Sequence, residues 1–153
     1  MRHFNLLPVF AIVIGGAGSG KNYYLENDPT LCTYQLVDVD AIKGELGVSS
    51  AISAIKPMLT IAFNKKVNVV HPTTASNLQA QKNKIAAAKA AGYTVDLYLV
   101  DTPVERAISQ VRNRVRGGGH DVDFDKIVSS NAKARENYNL LAPLVDTAQV
   151  VTN

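Results

Sequence analysis

Short apolar runs alternate along this chain with longer stretches whose apolar residues recur three and four positions apart. Val9-Phe10-Ala11-Ile12-Val13-Ile14 carries no polar residue, the pattern of a strand buried on both faces of a parallel sheet. Tyr34-Gln35-Leu36-Val37-Asp38, Val67-Asn68-Val69-Val70-His71, Tyr93 to Val100 and Ala148 to Val151 predict further strands,. Between them, Lys21 to Glu26 opens a short helix that Asp28-Pro29 stops. Ser49 to Lys66 reads as a helix that Pro57 kinks or divides, and Pro72 closes the third strand,. Ser76 is expected to cap an alanine-rich helix ending at Gly92, a position that suits positive φ. Thr102-Pro103-Val104-Glu105 has capping-box spacing with proline at the first helical position,. Val104, Ala107, Ile108, Val111 and Val115 give the helix it opens a core stripe, Gly117-Gly118-Gly119 ends it, and Asp123 starts a last helix to about Asn139,. This order predicts an α/β fold, a parallel five-stranded sheet flanked by helices on both faces, in a single domain over residues 1–153.

Directly after the first strand the chain reads Gly15-Gly16-Ala17-Gly18-Ser19-Gly20-Lys21-Asn22, a G-x-x-x-x-G-K phosphate loop,. Glycines let successive backbone N–H groups turn inward around phosphate oxygens, close to the positive end of the following helix. Lys21 supplies a mobile cation for the β- and γ-phosphates, so ATP or GTP is the expected cofactor. Where the motif has a magnesium-binding hydroxyl, this chain has Asn22. An amide oxygen also ligates a hard cation, which keeps Mg2+ as an expected cofactor with Asn22 as its weak ligand.

Composition narrows the setting. Sixteen Lys and Arg against thirteen Asp and Glu give +3, a mild basic bias compatible with an anionic substrate. Cys32 is the single cysteine, so no intrachain disulfide forms; it reads as a core residue in a reducing compartment,. Arg2 and His3 before an apolar stretch and small residues imitate a signal peptide, but the small residues are the phosphate loop itself,. The stretch is also too short to cross a bilayer. The reading is a cytoplasmic protein with no membrane partner, in the host cytoplasm if viral.

In an open parallel sheet, ligands bind outside the carboxyl ends of the strands. Asp38 and Asp40, His71 and Thr73, and Asp101 fall there. Phosphoryl transfer to a hydroxyl needs a carboxylate to orient it and take its proton. Asp38 and Asp40 alternate, so one faces the site while the other caps the next helix. His71 either contacts substrate or a phosphate-bound water, or is a hydrogen-bonded strand-end histidine; histidine is a poor magnesium ligand. Arg112, Arg114 and Arg116 end a helix just before the three glycines. Positive charge suits a helix C-terminus, but arginines beside a glycine hinge also suit a lid, around residues 112–125, that closes on the γ-phosphate. Spacing does not say which arginine reaches it.

Together these pieces resemble the zeta-toxin-like phosphate-loop kinases. The similarity rests on the glycine-rich loop, Asp38-Val39-Asp40-Ala41-Ile42-Lys43, and Gly92-Tyr93 leading into Asp101-Thr102-Pro103. It continues through Arg114-Val115, Gly118-Gly119-His120-Asp121-Val122 and Glu136-Asn137. The resemblance implies a five-stranded P-loop kinase core with Lys21 on the phosphates and Asp40 as the substrate-activating aspartate. It also implies that Arg112, Arg114 or Arg116 stabilises the transferring phosphoryl group. Family members phosphorylate hydroxyls, with UDP-N-acetylglucosamine the best-known acceptor; similar compact phage proteins phosphorylate 5-hydroxymethyluracil in DNA.

Asn22 and His71 depart from the family pattern, and Val128-Ser129-Ser130 stands where toxin-like members often carry an arginine-rich run, leaving Lys133 and Arg135 as the nearest basic residues. The expected function is therefore an ATP-dependent kinase of a hydroxyl on a nucleotide or DNA base, with the phage 5-hydroxymethyluracil DNA kinase of DNA hypermodification as its specific form and Asp38, His71 and Thr73 on the substrate side. The alternatives are a zeta-toxin-type sugar-nucleotide kinase with an antitoxin partner, and a nucleotide-binding module without turnover.

Overall fold

Val9–Ile14 (β1) is the middle strand of a five-stranded, all-parallel sheet in the order β2-β3-β1-β4-β5. A computed structural model describes residues 7–118 and 122–152, with Glu45 and Leu46 by their backbone alone. The other strands are Gln35–Leu36 (β2), Val69–Thr73 (β3), Thr94–Val100 (β4) and Thr147–Val151 (β5). The helices are Lys21–Asn27 (α1), Val39–Leu46 (α2), Val48–Lys65 (α3), Leu78–Ala90 (α4), Val104–Arg116 (α5) and Phe124–Leu141 (α6). This is the expected α/β fold.

Alternation along β1 divides the core. Phe10, Ile12 and Ile14 pack with Phe63 of α3, Ile85 of α4 and Leu141 of α6. Ala11 and Val13 face the opposite way, against Leu25 of α1 and Leu31. A third cluster, Ala107, Val111 and Ile127, joins α5 to α6 and takes in Ala17 of the phosphate loop. Each fully buried Ile or Leu here contributes roughly 1.5–3 kcal/mol. No helix among the described residues is long and apolar enough to cross a membrane.

Several local expectations are corrected. Pro57 does not divide α3. Its missing N–H leaves the Ser53 carbonyl without a helix donor, and both residues lie on the exposed side of the helix,. Pro72 does not close β3 but lies within it, paired with Val13. The cap of α4 is Asn77, whose side chain accepts the Ala80 amide, rather than Ser76. Thr102 caps nothing; Pro103 is the N-cap position of α5, and the Thr102 hydroxyl is used elsewhere. Cys32 is exposed, its thiol on the Pro29 carbonyl at 3.6 Å, not a core residue. Gly92 holds a φ of 86°, and Tyr93 N–H reaches back to the Ala88 carbonyl, closing α4 as expected,.

Candidate functional site

The phosphate loop leaves β1 at the carboxyl edge of the sheet and is gripped by β3, α6, the end of β4 and α5. Gly15 N–H donates to the Thr73 carbonyl at the end of β3 (3.2 Å) and Ser19 N–H to the Gly16 carbonyl (3.1 Å). From α6, Ser130 Oγ accepts the Ala17 amide at 2.9 Å, and Asn131 Nδ2 donates to the Ala17 carbonyl at 2.8 Å. From the end of β4, Thr102 Oγ1 donates to the Ser19 carbonyl at 2.7 Å. From α5, the Gln110 amide, oriented with its NH2 toward the loop, donates to the Gly18 carbonyl at 2.8 Å.

Two glycines are dictated by this grip. A Cβ at Gly16 would lie 2.5 Å from the Asn131 backbone nitrogen, and one at Gly18 would lie 2.4 Å from the Ala107 carbonyl oxygen. Gly18 also has a φ of 72°, which side chains other than glycine seldom adopt. The loop is thus wedged between the helices that bracket the expected lid.

Around the loop's far end, charged groups converge. Lys21 begins α1 and is partly buried. Burial pulls its ammonium below the usual lysine range, Arg114 and Lys43 push the same way, and Asp40 and Asp38 oppose them. Asp38 is the N-cap of α2, its carboxylate accepting the Asp40 amide at 3.1 Å,. Burial raises its carboxyl above the ordinary value, with the Asp40 charge adding to this. Asp40 stands in the first turn of α2, exposed, with Lys43 Nζ at 2.9 Å. Burial pushes Asp40 up, but Lys43, with Lys21 and Arg114 beyond it, outweighs that and holds the carboxyl low. The alternation foreseen in the sequence therefore resolves with Asp38 as the cap and Asp40 as the ionised group between Lys21, Lys43 and Arg114.

Of Arg112, Arg114 and Arg116 on α5, Arg114 is the one whose charge acts on both Lys21 and Asp40. Arg116 donates from Nη1 to Asn113 Oδ1 at 3.0 Å on its own helix. All three are exposed. The lid expected around 112–125 includes Gly119, His120 and Asp121, which lie outside the described residues.

Asn22 Oδ1 is buried and has no hydrogen-bond partner among the described residues. Such an orphaned acceptor costs about 1–3 kcal/mol unless something fills it. It directly follows Lys21, so the donor set fits a hard cation there through an amide oxygen.

His71 is placed otherwise than a substrate contact requires. Its ring is 1% exposed, stacked on Phe10 in the α3–α4 face of the core. Nδ1 lies 2.7 Å from the Val37 carbonyl and Nε2 lies 2.9 Å from Lys84 Nζ. A carbonyl only accepts, so Nδ1 carries the proton and Nε2 takes the lysine's. Burial, with Lys84 beside it, pushes the imidazole down to about 3, so it is neutral at pH 7. The expectation that His71 meets substrate or a phosphate-bound water is corrected: its side chain points into the core and both nitrogens are taken. Thr73 reaches the site edge, where its Oγ1 accepts the Ala75 amide at 3.1 Å and braces the loop after β3. Asp101 is held by Arg135 at 3.0 Å and Lys133 pairs with Glu136 at 3.7 Å, so these groups tie α6 to β4 and to itself.

Ser130, Asn131, Thr102 and Gln110 were not foreseen as loop holders. A signal existed for one of them. Asn131 interrupts the stripe Ile127, Ala134, Tyr138, Leu141 of α6, and a buried amide on an apolar face must have partners,.

The zeta toxin family model matches residues 46–152. No curated protein matches the sequence at a significant level. Among solved structures, the Pnkp1/Rnl/Hen1 RNA repair complex aligns with a TM-score of 0.71 and 15% identity over 91% of this chain and 49% of that one. The PezAT toxin–antitoxin system of Streptococcus pneumoniae aligns with 0.76 and 16% over 97% and 70%. The AvrRxo1-ORF1:-ORF2 complex with ATP aligns with 0.74 and 16% over 98% and 56%. The chain thus spans about half the length of the RNA-repair chain it matches, and at these identities the likeness is one of fold. The chain belongs to the zeta toxin family and carries the P-loop kinase fold.

Proposed function

We propose that this phosphotransferase moves the γ-phosphoryl group of ATP, or of GTP, onto a hydroxyl of a nucleotide or nucleic-acid acceptor, with the hydroxymethyl group of 5-hydroxymethyluracil in phage DNA as the specific candidate. The observation that carries the reading is the convergence of Lys21, Asp40 and Arg114 at the end of a rigidly held phosphate loop. Gly15 to Asn22 form the nucleotide cradle, and Lys21 balances charge on the β- and γ-phosphates. Asp40, kept ionised by its cationic neighbours, orients the acceptor hydroxyl and takes its proton as the O–P bond forms. Arg114 stabilises the charge spread over the transferring group. Asn22 Oδ1 is the group that would hold Mg2+, which would supply positive charge against the phosphates. Asp38 sets the start of α2 and thereby the place of Asp40.

An acceptor-side cavity of about 450 Å³ supports an anionic acceptor. It is lined by Ala17 of the loop, Thr74 and Ser76 after β3, Val122 and Asp123 before α6, and Lys126, Ser130 and Lys133 of α6. Two lysines and three hydroxyls suit a phosphate-bearing molecule better than a neutral sugar. The same cavity suits a sugar nucleotide, and the family match supports that second reading, in which an antitoxin would be the partner.

The test is transfer of label from γ-labelled ATP, with Mg2+, to a panel of hydroxymethylated DNA, nucleoside monophosphates and UDP-sugars. Labelled DNA or nucleotide supports the reading, and labelled UDP-sugar alone replaces it by the second. Nucleotide binding without label in any acceptor, and without ADP formation, overturns both.

A further inference from the structure

Between β2 and β3 the parallel ladder runs regularly up to one point. Gln35 N–H donates to the Asn68 carbonyl and Val37 N–H to the Val70 carbonyl, with Gln35 opposite Val69 and Leu36 opposite Val70. In a parallel ladder evenly spaced, slanted bonds continue, so the next bond runs from the N–H of residue 72 to the Val37 carbonyl. Residue 72 is proline and has no N–H,. The Val37 carbonyl belongs to a fully buried residue and would be left without its ladder donor, an unmade bond that burial makes costly. The donor it has is the Nδ1–H of His71, at 2.7 Å.

We propose that His71 is a positioning residue for phosphoryl transfer: its imidazole replaces the ladder bond that Pro72 cannot make, and so fixes the Val37–Asp38 peptide from which α2 and Asp40 start. This rests on the kinase reading above. The Val37 carbonyl shares its peptide plane with the Asp38 nitrogen. Asp38 then caps α2 by accepting the Asp40 amide from its side chain, and its carbonyl accepts the Ala41 amide. A shift of the gripped plane is therefore passed directly to Asp40. Lys84 fixes the other ring nitrogen at 2.9 Å and so selects the tautomer with the proton on Nδ1,. The ring itself is locked by the Phe10 stack and full burial. A neutral imidazole also explains why a histidine can stand where an acidic residue would be a charged intruder in this core.

The experiment compares wild type, His71→Leu, Pro72→Ala and His71→Leu/Pro72→Ala. Alanine at 72 returns the missing N–H, so it should make His71 dispensable. Amide exchange across residues 37–42 should accelerate in His71→Leu and return toward wild type in the double variant. In the same proteins kcat should fall at least about tenfold and then recover, with KM for ATP within about twofold throughout. Pro72→Ala alone should resemble wild type. Unchanged exchange in His71→Leu, or a double variant no better than the single one in exchange or turnover, overturns the assignment. If His71→Leu does not fold, the double variant decides: a folded, active protein supports the assignment and an unfolded or inactive one overturns it. Exchange needs no turnover, so a failure of the kinase reading would leave every variant inactive, wild type included, while the exchange pattern still tests His71.

Discussion

Two polar clusters, one beside the phosphate loop and one between β3 and α4, are built in opposite ways. Lys21, Asp40 and Arg114 act on one another through their charges, and Asp40 and Arg114 are exposed. His71 and Lys84 are packed in the core, and each imidazole nitrogen has its partner within 2.9 Å. The first arrangement lies open beside the phosphate loop, while the second is built into the frame. A polar residue close to the loop is therefore a site residue only where its side chain faces the loop rather than the core.

Removing Lys21 is expected to produce the largest effect. Lys21→Ala should lower transfer by about 10³ or more, while the melting temperature stays level or rises because the ammonium is held against a burial cost. Wild-type turnover in the folded variant would break the distinction between the clusters.

The two aspartates should separate next. Asp40→Asn is expected to lower kcat by about 10² or more with little change in nucleotide affinity. Asp38→Ala should chiefly cost the helix cap, about 1 kcal/mol in denaturant titration. A harmless Asp40→Asn beside an inactive Asp38→Asn would exchange the roles of the two carboxylates.

Asn22 offers a metal readout. Asn22→Ala should raise the Mg2+ concentration for half-maximal transfer by roughly tenfold, and Asn22→Ser should restore most of it. An unchanged Mg2+ dependence would mean that the buried amide oxygen serves something else.

The frame gives a pH dependence of stability rather than a change in rate. His71 binds its proton at about 3 in the fold, against an ordinary 6.5 in the unfolded chain. Above pH 6.5 both states are neutral and the contribution is whole. As pH falls from 6.5 toward 3, the unfolded chain protonates first and stability is lost, with a slope approaching ~1.4 kcal/mol per pH unit. Thermal melts between pH 7 and 5 should show this loss in wild type and not in His71→Leu/Pro72→Ala. Parallel curves would mean that His71 titrates normally.

The fold was legible because its signals are local. An apolar six-residue run that ends in a glycine-rich turn reads as a buried strand, and glycines followed by lysine make a phosphate loop by their own backbone freedom,. What could not be read depends on which groups meet in space. Arg112, Arg114 and Arg116 look equivalent in sequence, and only the direction of α5 over the loop brings Arg114 into the field of Lys21 and Asp40. Thr102 fits a capping box, yet its hydroxyl is drawn to the Ser19 carbonyl, a partner 83 residues away. His71 could be told from a site residue only through Pro72, by asking which carbonyl the proline leaves unpaired. That question can be asked of a sequence once the strand register is known.

The most direct test of the Lys21–Asp40–Arg114 cluster is to assay Arg112→Ala, Arg114→Ala and Arg116→Ala side by side for label transfer and melting temperature. Arg114→Ala should lose about 10³ in rate, the scale of an arginine that stabilises a transferring phosphoryl group. Arg112→Ala and Arg116→Ala should stay within a few-fold of wild type and cost at most about 1 kcal/mol of stability. Near-normal turnover in Arg114→Ala, or an equal loss in all three, would contradict the account.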